Sequence, residues 1–430
     1  MAAGEPVLAG PVHLNNLGYG DFARLMARTQ VKRSIGFIGF FVGWLLCAQT
    51  LWAAHVNTRP SSAARTKSAK IHESQRTRRR IGHLAQSRRT SSLHSAGHHR
   101  YYERFHTSSF AADITEGDTT VGEDPIVRQA AIEALGNMNG TVVAVDPESG
   151  RILAMVNQKL ALSSGAQPCS TIKLSVALAA LNEGLITRDT EITLGRHSRM
   201  NLTEALAHSN NAYFEALGRK MGFDKVAYYA HEYGLGELAG DHIEGEQAGS
   251  YPDEAIPTKL GGVGKMCSFG EGISMTPLQL GAMVSAIANG GTLYYLQHPT
   301  QPEQLAGFQP KIKRQLDIGP AIPELSDGMA GAVEYGTARK LRLNFSEEEI
   351  LGKTGTCSHA GTRYGWFASY SNTAAGRIVV VVFLQGGRPT FGPKAAEIAG
   401  KMYHSLYEHS FFATAPASSS NTAAVLTNQP

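Results

Sequence analysis

The fold of this protein is decided by the stretch STIKLSVALAAL at residues 170–181. A serine before a mostly apolar run predicts a buried helix with the serine at its N-terminus, and Gly184 marks the expected end. One helical turn brings positions i and i+3 onto one face, so the amine of Lys173 can reach the hydroxyl of Ser170. A neutral lysine there can act as a base that activates a serine nucleophile. The simpler interpretation is that Ser170 only caps the helix.

Strand patterns lie on both sides of this helix. Residues 140–146 and 151–156 are apolar runs joined by the turn sequence PESG, which predicts a hairpin. Three strands and a final helix are predicted near the other end, at residues 350–356, 364–371, 377–384 and 394–407. Helical segments fill the middle. Ordered structure is therefore expected from about Ile126 onward.

Two more short motifs follow the first in chain order. Residues 209–211 read SNN, and residues 353–356 read KTGT. STIK is the only S-x-x-K sequence in the chain, KTG occurs once, and the only other S-x-N lies at residues 419–421. Each motif alone is weak evidence. Together they are informative, because the first opens a predicted helix, the second lies in a helix-rich stretch and the third lies on a predicted strand.

With these motifs the chain resembles the penicillin-binding protein transpeptidase family, whose members are relatives of the serine β-lactamases. The resemblance extends over residues 140–407 and includes GEGISMTPLQL at 270–280, ANGG at 288–291 and GTA at 336–338. It implies an α+β fold with a five-stranded antiparallel sheet and helices on both faces. It also implies acyl transfer on the D-Ala-D-Ala end of a peptidoglycan stem peptide, and acylation by β-lactams.

The resemblance assigns catalytic roles to Ser170, Lys173, Ser209 and Lys353. Ser170 is the nucleophile and Lys173 its base, and burial, the helix N-terminus and the cation of Lys353 are all expected to lower the pKa of Lys173. The hydroxyl of Ser209 relays the proton towards the leaving group. Asn211 holds the acyl side chain of the substrate. Both residues of this second motif are expected in an extended loop, with a spacer between them.

The third motif is expected to recognise the substrate. Lys353 and Thr354 supply a cation and a hydroxyl for the terminal carboxylate of the stem peptide or of a β-lactam. Gly355 leaves room for the substrate to lie along the strand edge as an added strand. The resemblance implies an oxyanion hole at the backbone amides of Ser170 and Thr356, where losing one donor typically costs roughly 3 to 4 kcal/mol.

The chain departs from the family at two cysteines. Cys169 precedes the nucleophile, where the family commonly has glycine, and Cys357 follows the third motif. Both flank the expected oxyanion hole, so a disulfide between them is one interpretation for an exported domain, and two small buried residues are the other. The four cysteines of the chain show no zinc-binding spacing, and neither a metal nor another cofactor is expected.

Composition and charge divide the chain. A hydrophobic fraction of 42% excludes a wholly disordered or collagen-like protein. Residues 1–100 carry 15 Lys and Arg against 3 acidic residues, whereas residues 101–430 carry 25 against 33. Residues 34–54 are uncharged, and as a helix they would be about 31 Å long, enough for one membrane span.

These patterns predict five segments: a cytoplasmic segment at 1–33, a transmembrane anchor at 34–54, a disordered basic linker at 55–124, the transpeptidase domain at 125–412 and a flexible tail at 413–430. Basic residues on both flanks of the anchor leave its orientation open by the positive-inside rule. Chemistry on peptidoglycan favours a catalytic domain outside the cytoplasmic membrane. Translation could start at Met1 or at Met26.

The expected partners follow from this arrangement. The basic linker could attract nucleic acid, anionic lipid or an anionic wall polymer, but a solvated tether is favoured and no nucleic-acid partner is expected. Stem peptides, β-lactams and the cytoplasmic membrane are expected partners. A glycan-polymerising protein is a further candidate, because the sequence leaves no room for a glycosyltransferase domain.

Other functions use the same motifs. A D,D-carboxypeptidase differs only in taking water as the acceptor. A β-lactamase needs a group that activates water, and the chain has no E-x-x-L-N-like element. A β-lactam sensor or inactive scaffold would need signalling domains or damaged motifs. A D,D-transpeptidase is therefore the favoured prediction.

Overall fold

The computed structural model describes residues 104–195, 198–373 and 376–413. Its central element is a five-stranded antiparallel sheet with the strand order β2-β1-β9-β8-β7. These strands are β1 Gly140–Val145, β2 Ile152–Val156, β7 Ile350–His359, β8 Thr362–Ser371 and β9 Val379–Gly386. Two short hairpins pair β3 Ile192–Thr193 with β4 Arg199–Met200, and β5 Thr292–Tyr294 with β6 Ile312–Gln315. The predicted five-stranded antiparallel sheet is confirmed.

The helices of the described residues lie mainly between the second and seventh strands. They are α1 Pro125–Leu135, α2 Gln158–Ala161, α3 Lys173–Asn182, α4 Leu202–Ala207, α5 Asn211–Met221, α6 Phe223–Glu232, α7 Gly262–Phe269, α8 Pro277–Ala288, α9 Pro302–Ala306, α10 Ala321–Glu334 and α11 Gly392–Glu408. Single 3₁₀ turns occur at Cys169–Ile172, Thr258–Leu260, Leu341–Leu343 and Phe411–Ala413.

The sheet is buried on both faces, which explains its apolar strand sequences. In β9 one set of alternating residues, Val380 and Val382, packs with α1 and α11. The other set, Val379 and Val381, packs in the larger core that contains α3, α8 and α10. Because successive strand residues point to opposite faces, both sets must be apolar. The α+β class with helices on both faces is confirmed.

The structured domain begins earlier than predicted. The backbone amide of His106 donates to the carbonyl of Gly361 at 2.9 Å, and the amide of Gly387 donates to Ser109 Oγ at 2.7 Å. Residues 104–124 therefore pack against the sheet, and the prediction of a disordered linker is wrong for this part. These two hydrogen bonds join residues more than 200 positions apart, so a composition-based argument does not detect them.

A buried ion cluster fastens the same segment to α1. Arg128 lies 2.9 Å from Asp118 and 2.7 Å from Glu123, and both carboxylate side chains are 1% exposed. The Glu123 carboxylate also accepts a hydrogen bond from the amide of Met155 in β2. The cluster thus joins the N-terminal segment, the first helix and the sheet.

Membrane insertion was predicted for a part of the chain that the structure does not describe. Within the described residues, no helix is both long enough and apolar enough to cross a bilayer. Four predicted parts of the chain lie outside the described residues. They are the N-terminal segment at 1–33, the anchor at 34–54, residues 55–103 of the linker and residues 414–430 of the tail.

Candidate active site

The nucleophile candidate lies on a tight turn that leads into α3. The 3₁₀ turn Cys169–Ile172 precedes the α-helix, which begins at Lys173. No side chain caps either element, so Ser170 is not the helix cap that the simpler interpretation suggested. Ser170 is 9% exposed, and its Oγ lies 2.7 Å from Lys173 Nζ. The predicted contact between the two residues of the first motif is present.

Lys173 is fully buried and lies at the centre of the site. Besides Ser170, its Nζ contacts Ser209 Oγ at 3.3 Å and Asn211 Oδ1 at 2.7 Å. Burial is the main reason that the pKa of Lys173 is well below its usual value, and the nearby Lys353 lowers it further. The lowered pKa favours the neutral form of Lys173 that a base requires.

Aromatic rings form part of the wall around this amine. The ring centroids of Phe214 and Phe269 lie 5.6 and 5.9 Å from Lys173 Nζ. Phe214 is buried in α5, and Phe269 is the last residue of α7. Both rings contribute to the burial of the amine, and burial is the main cause of its lowered pKa.

The second motif lies between α4 and α5, and its backbone differs from the expected extended loop. Ser209 has a φ of 55°, in the left-handed region, and Asn211 is the first residue of α5. Asn210 is more than a spacer, because its side chain accepts a hydrogen bond from the Tyr213 amide at 3.0 Å and caps the helix. This cap orients the start of α5 and hence both neighbouring residues of the motif.

The third motif lies on β7, the strand at the edge of the sheet. Lys353 is fully buried, and its Nζ donates to Ser209 Oγ at 2.8 Å. Burial lowers the pKa of Lys353 to about 7. Together the contacts form one chain of polar atoms, which connects Ser170 through Lys173 and Ser209 to Lys353.

Thr354 is tied to a residue that the sequence did not single out. Its hydroxyl donates to Thr337 Oγ1 at 2.6 Å, and the amide of Thr337 donates to the carbonyl of Ala207, the last residue of α4. Thr337 thus links the edge strand to the helix just before Ser209. The sequence GTA at 336–338 contributes to the family resemblance but does not indicate this role.

Packing provides a reason for Gly355 that the sequence did not suggest. A Cβ at this position would lie 2.9 Å from the carbonyl oxygen of Pro168 and 3.2 Å from Cγ2 of Thr171. The missing side chain therefore makes room for the nucleophile turn. The hydroxyl oxygen of the next residue, Thr356, accepts a hydrogen bond from the Gly392 amide at the start of α11.

The two cysteines beside the site form a disulfide. Of the two interpretations that the sequence allowed, the structure has the bonded one. Cys169 has a φ of 52°, so its backbone adopts the left-handed conformation that favours glycine. A glycine would adopt this conformation without the strain of a side chain. On the other side of the turn, Trp366 Nε1 donates to the carbonyl of Gln167 at 3.0 Å, a contact that the sequence did not suggest.

Comparisons with known proteins agree with this geometry. A family model described as the penicillin binding protein transpeptidase domain matches residues 140–404. Stage V sporulation protein D of Bacillus subtilis is 29% identical over 257 residues, which are 50% of this chain and 39% of that protein. The peptidoglycan D,D-transpeptidase MrdA of Acinetobacter baumannii is 23% identical over 370 residues, which are 68% of this chain and 54% of that protein.

A solved structure shares the fold. It is the structure of a peptidoglycan synthase complex in which polymerization and crosslinking are coordinated. The matching chain of that complex has a TM-score of 0.55 and is 22% identical, and the match covers 66% of the present chain and 62% of the matching chain. The present chain spans 39% and 54% of the length of the two curated relatives. The family match covers more than half of the chain and confirms the resemblance. This chain therefore belongs to the penicillin-binding protein transpeptidase family.

Proposed function

We propose that this chain is a peptidoglycan D,D-transpeptidase that cross-links stem peptides through an acyl-enzyme on Ser170 and is acylated by β-lactams. The observation that carries the proposal is the polar chain from Ser170 Oγ to Lys353 Nζ, in which successive contacts measure 2.7, 3.3 and 2.8 Å. Family membership and the name of the Acinetobacter relative support the same activity.

Acylation begins with the neutral amine of Lys173. It takes the proton of the Ser170 hydroxyl, and the serine oxygen attacks the carbonyl carbon of the penultimate D-Ala. The backbone amides of Ser170 and Thr356 are proposed to hold the oxyanion of the tetrahedral intermediate. The peptide bond to the terminal D-Ala then breaks, and its nitrogen takes a proton from the Ser209 hydroxyl, which regains one from Lys173.

The second half of the reaction reverses these proton transfers. The amine of an acceptor stem peptide attacks the ester carbonyl on Ser170, and its proton passes to Lys173 through Ser209. Collapse of the intermediate breaks the bond to Ser170 Oγ, which regains its proton from Lys173. The products are the new cross-link and the free enzyme. No cofactor takes part in the proposed reaction.

Substrate recognition is proposed for the edge strand and for Asn211. Lys353 and Thr354 bind the terminal carboxylate, and an anion beside Lys353 favours the charged form of that amine. β7 pairs with β8 on one side only within the five-stranded sheet, so alternate backbone groups of its free edge can bind an added peptide strand. The Asn211 amide, whose oxygen contacts Lys173 at 2.7 Å, offers its nitrogen to the acyl side chain.

We further propose the cell location and the partners. Residues 34–54 anchor the chain in the cytoplasmic membrane by a single pass, the segment before them is cytoplasmic, and the domain lies on the periplasmic or extracellular side with its substrate. The basic residues that follow the anchor act as a tether. A glycan-polymerising protein is the proposed partner, in line with the synthase complex that shares the fold.

The test uses the full-length chain purified in detergent. We expect one benzylpenicillin adduct per chain by intact mass, persisting for many minutes, and no adduct on Ser170→Ala. Ser346→Ala is the matched control, because this exposed serine lies in the loop before β7 and outside the three motifs. Rapid appearance of hydrolysed drug without a lasting adduct would indicate a β-lactamase. Absence of any adduct would indicate an inactive scaffold.

A second assay distinguishes the two acceptors. The chain is incubated with a stem pentapeptide that ends in D-Ala-D-Ala and with an amine acceptor. A cross-linked product supports transpeptidation. A tetrapeptide as the only product would instead assign the chain as a D,D-carboxypeptidase.

A further inference from the structure

The Cys169–Cys357 disulfide joins the two segments that carry the proposed oxyanion-hole amides. Cys169 directly precedes Ser170, and Cys357 directly follows Thr356. The Cα atoms of the cysteines lie 5.5 Å apart, although 188 positions separate them in the chain. A covalent bond therefore limits the distance between the nucleophile turn and the edge strand, one residue away from each proposed donor.

Hydrogen bonds of the nucleophile turn go to β8 and to the turn itself. The carbonyl of Gln167 is held by Trp366 of β8, and the carbonyl of Pro168 accepts a hydrogen bond from the Thr171 hydroxyl at 2.6 Å. These bonds hold the turn against β8 and against itself. β7 is supported by a neighbouring strand on one side only. Its position relative to the turn therefore depends on its ladder with β8, in which Gly355 lies opposite Trp366, on the packing at Gly355 and on the disulfide.

The backbone at Cys169 adds a second reason for a restraint. Its φ of 52° is unfavourable for a residue with a side chain, and the residue is completely buried. Such a conformation persists only where the surroundings hold it. The bond from Cys169 Sγ to β7 is one of the contacts that hold it.

We propose that the Cys169–Cys357 disulfide is a positioning element for acyl transfer, which keeps the amides of Ser170 and Thr356 at the separation that the tetrahedral intermediate needs. The proposal rests on the proposed function. Breaking the bond takes two electrons and two protons and yields two thiols. A water-soluble phosphine supplies the electrons and becomes a phosphine oxide, with water as the source of the oxygen and the protons.

The experiment compares the oxidised and the phosphine-reduced full-length chain in detergent. Intact mass reports reduction as a gain of two hydrogens, and stopped reactions with benzylpenicillin give the rate constant of acylation and the dissociation constant of the initial complex. We expect the rate constant to fall about 10- to 100-fold on reduction, in line with a small misplacement of reacting groups or a weakened oxyanion donor. The initial complex should change little.

Three variants make the test specific. Cys357→Ser should behave like the reduced chain without any reductant. The double variant Cys169→Gly with Cys357→Ser accommodates the left-handed backbone but lacks the bond, and it should also be slow. Cys267→Ala is the matched control, because Cys267 is a buried free thiol, and it should match the wild type before and after reduction.

The outcomes separate this proposal from the proposed function. If the oxidised wild type is not acylated, the proposed function fails. If the oxidised chain is acylated and the reduced chain reacts at the same rate, the disulfide has no positioning role. A smaller acylated fraction at an unchanged rate constant would assign the bond to folding alone and overturn the proposal. A double variant as fast as the wild type would overturn it too, because backbone conformation would then suffice.

Discussion

Replacing Gly355 with alanine should move the nucleophile turn and slow acylation. The added Cβ would lie 2.9 Å from the backbone oxygen of Pro168, about half an ångström closer than ordinary contact, and 3.2 Å from Thr171 Cγ2. A backbone oxygen cannot rotate away, so the turn and β7 must separate. Overpacking of this kind typically costs about 1–3 kcal/mol. A displacement of about 1 Å can cost about 100-fold in rate, so we expect acylation to slow by about 10- to 100-fold.

The assay measures both consequences on the full-length chain. Benzylpenicillin acylation gives the rate, and a thermal melt gives the stability, with an expected decrease of a few degrees at about 2–4 °C per kcal/mol. Gly195→Ala is the matched control, because nothing lies within 4 Å of a Cβ built there. If Gly355→Ala has the acylation rate and melting temperature of this control, the turn and β7 can accommodate the added methyl group. The predicted displacement of the nucleophile turn is then refuted.

Three further predictions concern the base, the buried ion cluster and the helix cap. Acylation should slow as the pH falls and Lys173 becomes protonated. Lys353→Gln removes the cation that lowers the pKa of Lys173, so the acid limb of the rate–pH profile should move to higher pH. An unmoved acid limb would show that Lys353 does not lower the pKa of Lys173. Arg128→Met removes the guanidinium that pairs with the buried carboxylates of Asp118 and Glu123 and should lower the free energy of unfolding by about 3–5 kcal/mol in urea titrations. An unchanged midpoint would mean that this ion cluster does not stabilise the domain. Asn210→Ala removes the α5 cap, so it should lower the free energy of unfolding by about 0.5–2 kcal/mol and slow acylation. Asn210→Asp should restore both. An acylation rate equal to wild type in Asn210→Ala would show that the cap does not orient the second motif.

The sheet and the three motifs could be predicted because their signals are local. A strand buried on both faces must be apolar at every position, and β9 is such a strand, with the sequence VVVVFLQG. The contact between Ser170 and Lys173 follows from one helical turn. The meeting of the three motifs, by contrast, came from the family resemblance, since no spacing rule brings residues 170, 209 and 353 together.

Other features depend on contacts between distant segments. The left-handed backbone of Ser209 and the bond from Thr354 to Thr337 have no signature in the local pattern. Gly355 is a further example: the sequence suggested room for a docking substrate on an edge strand, but it did not reveal the close packing of Gly355 against Pro168. The disulfide stayed open in the sequence because two cysteines that are 188 positions apart reveal their pairing only when the fold brings them together.

The most direct test of the central claim is to locate the covalent adduct. The full-length chain is treated with benzylpenicillin, digested and mapped by tandem mass spectrometry. We predict the adduct on Ser170, in the turn that leads into the helix carrying Lys173. An adduct on Ser209 or on any other residue, with Ser170 unmodified, would contradict it.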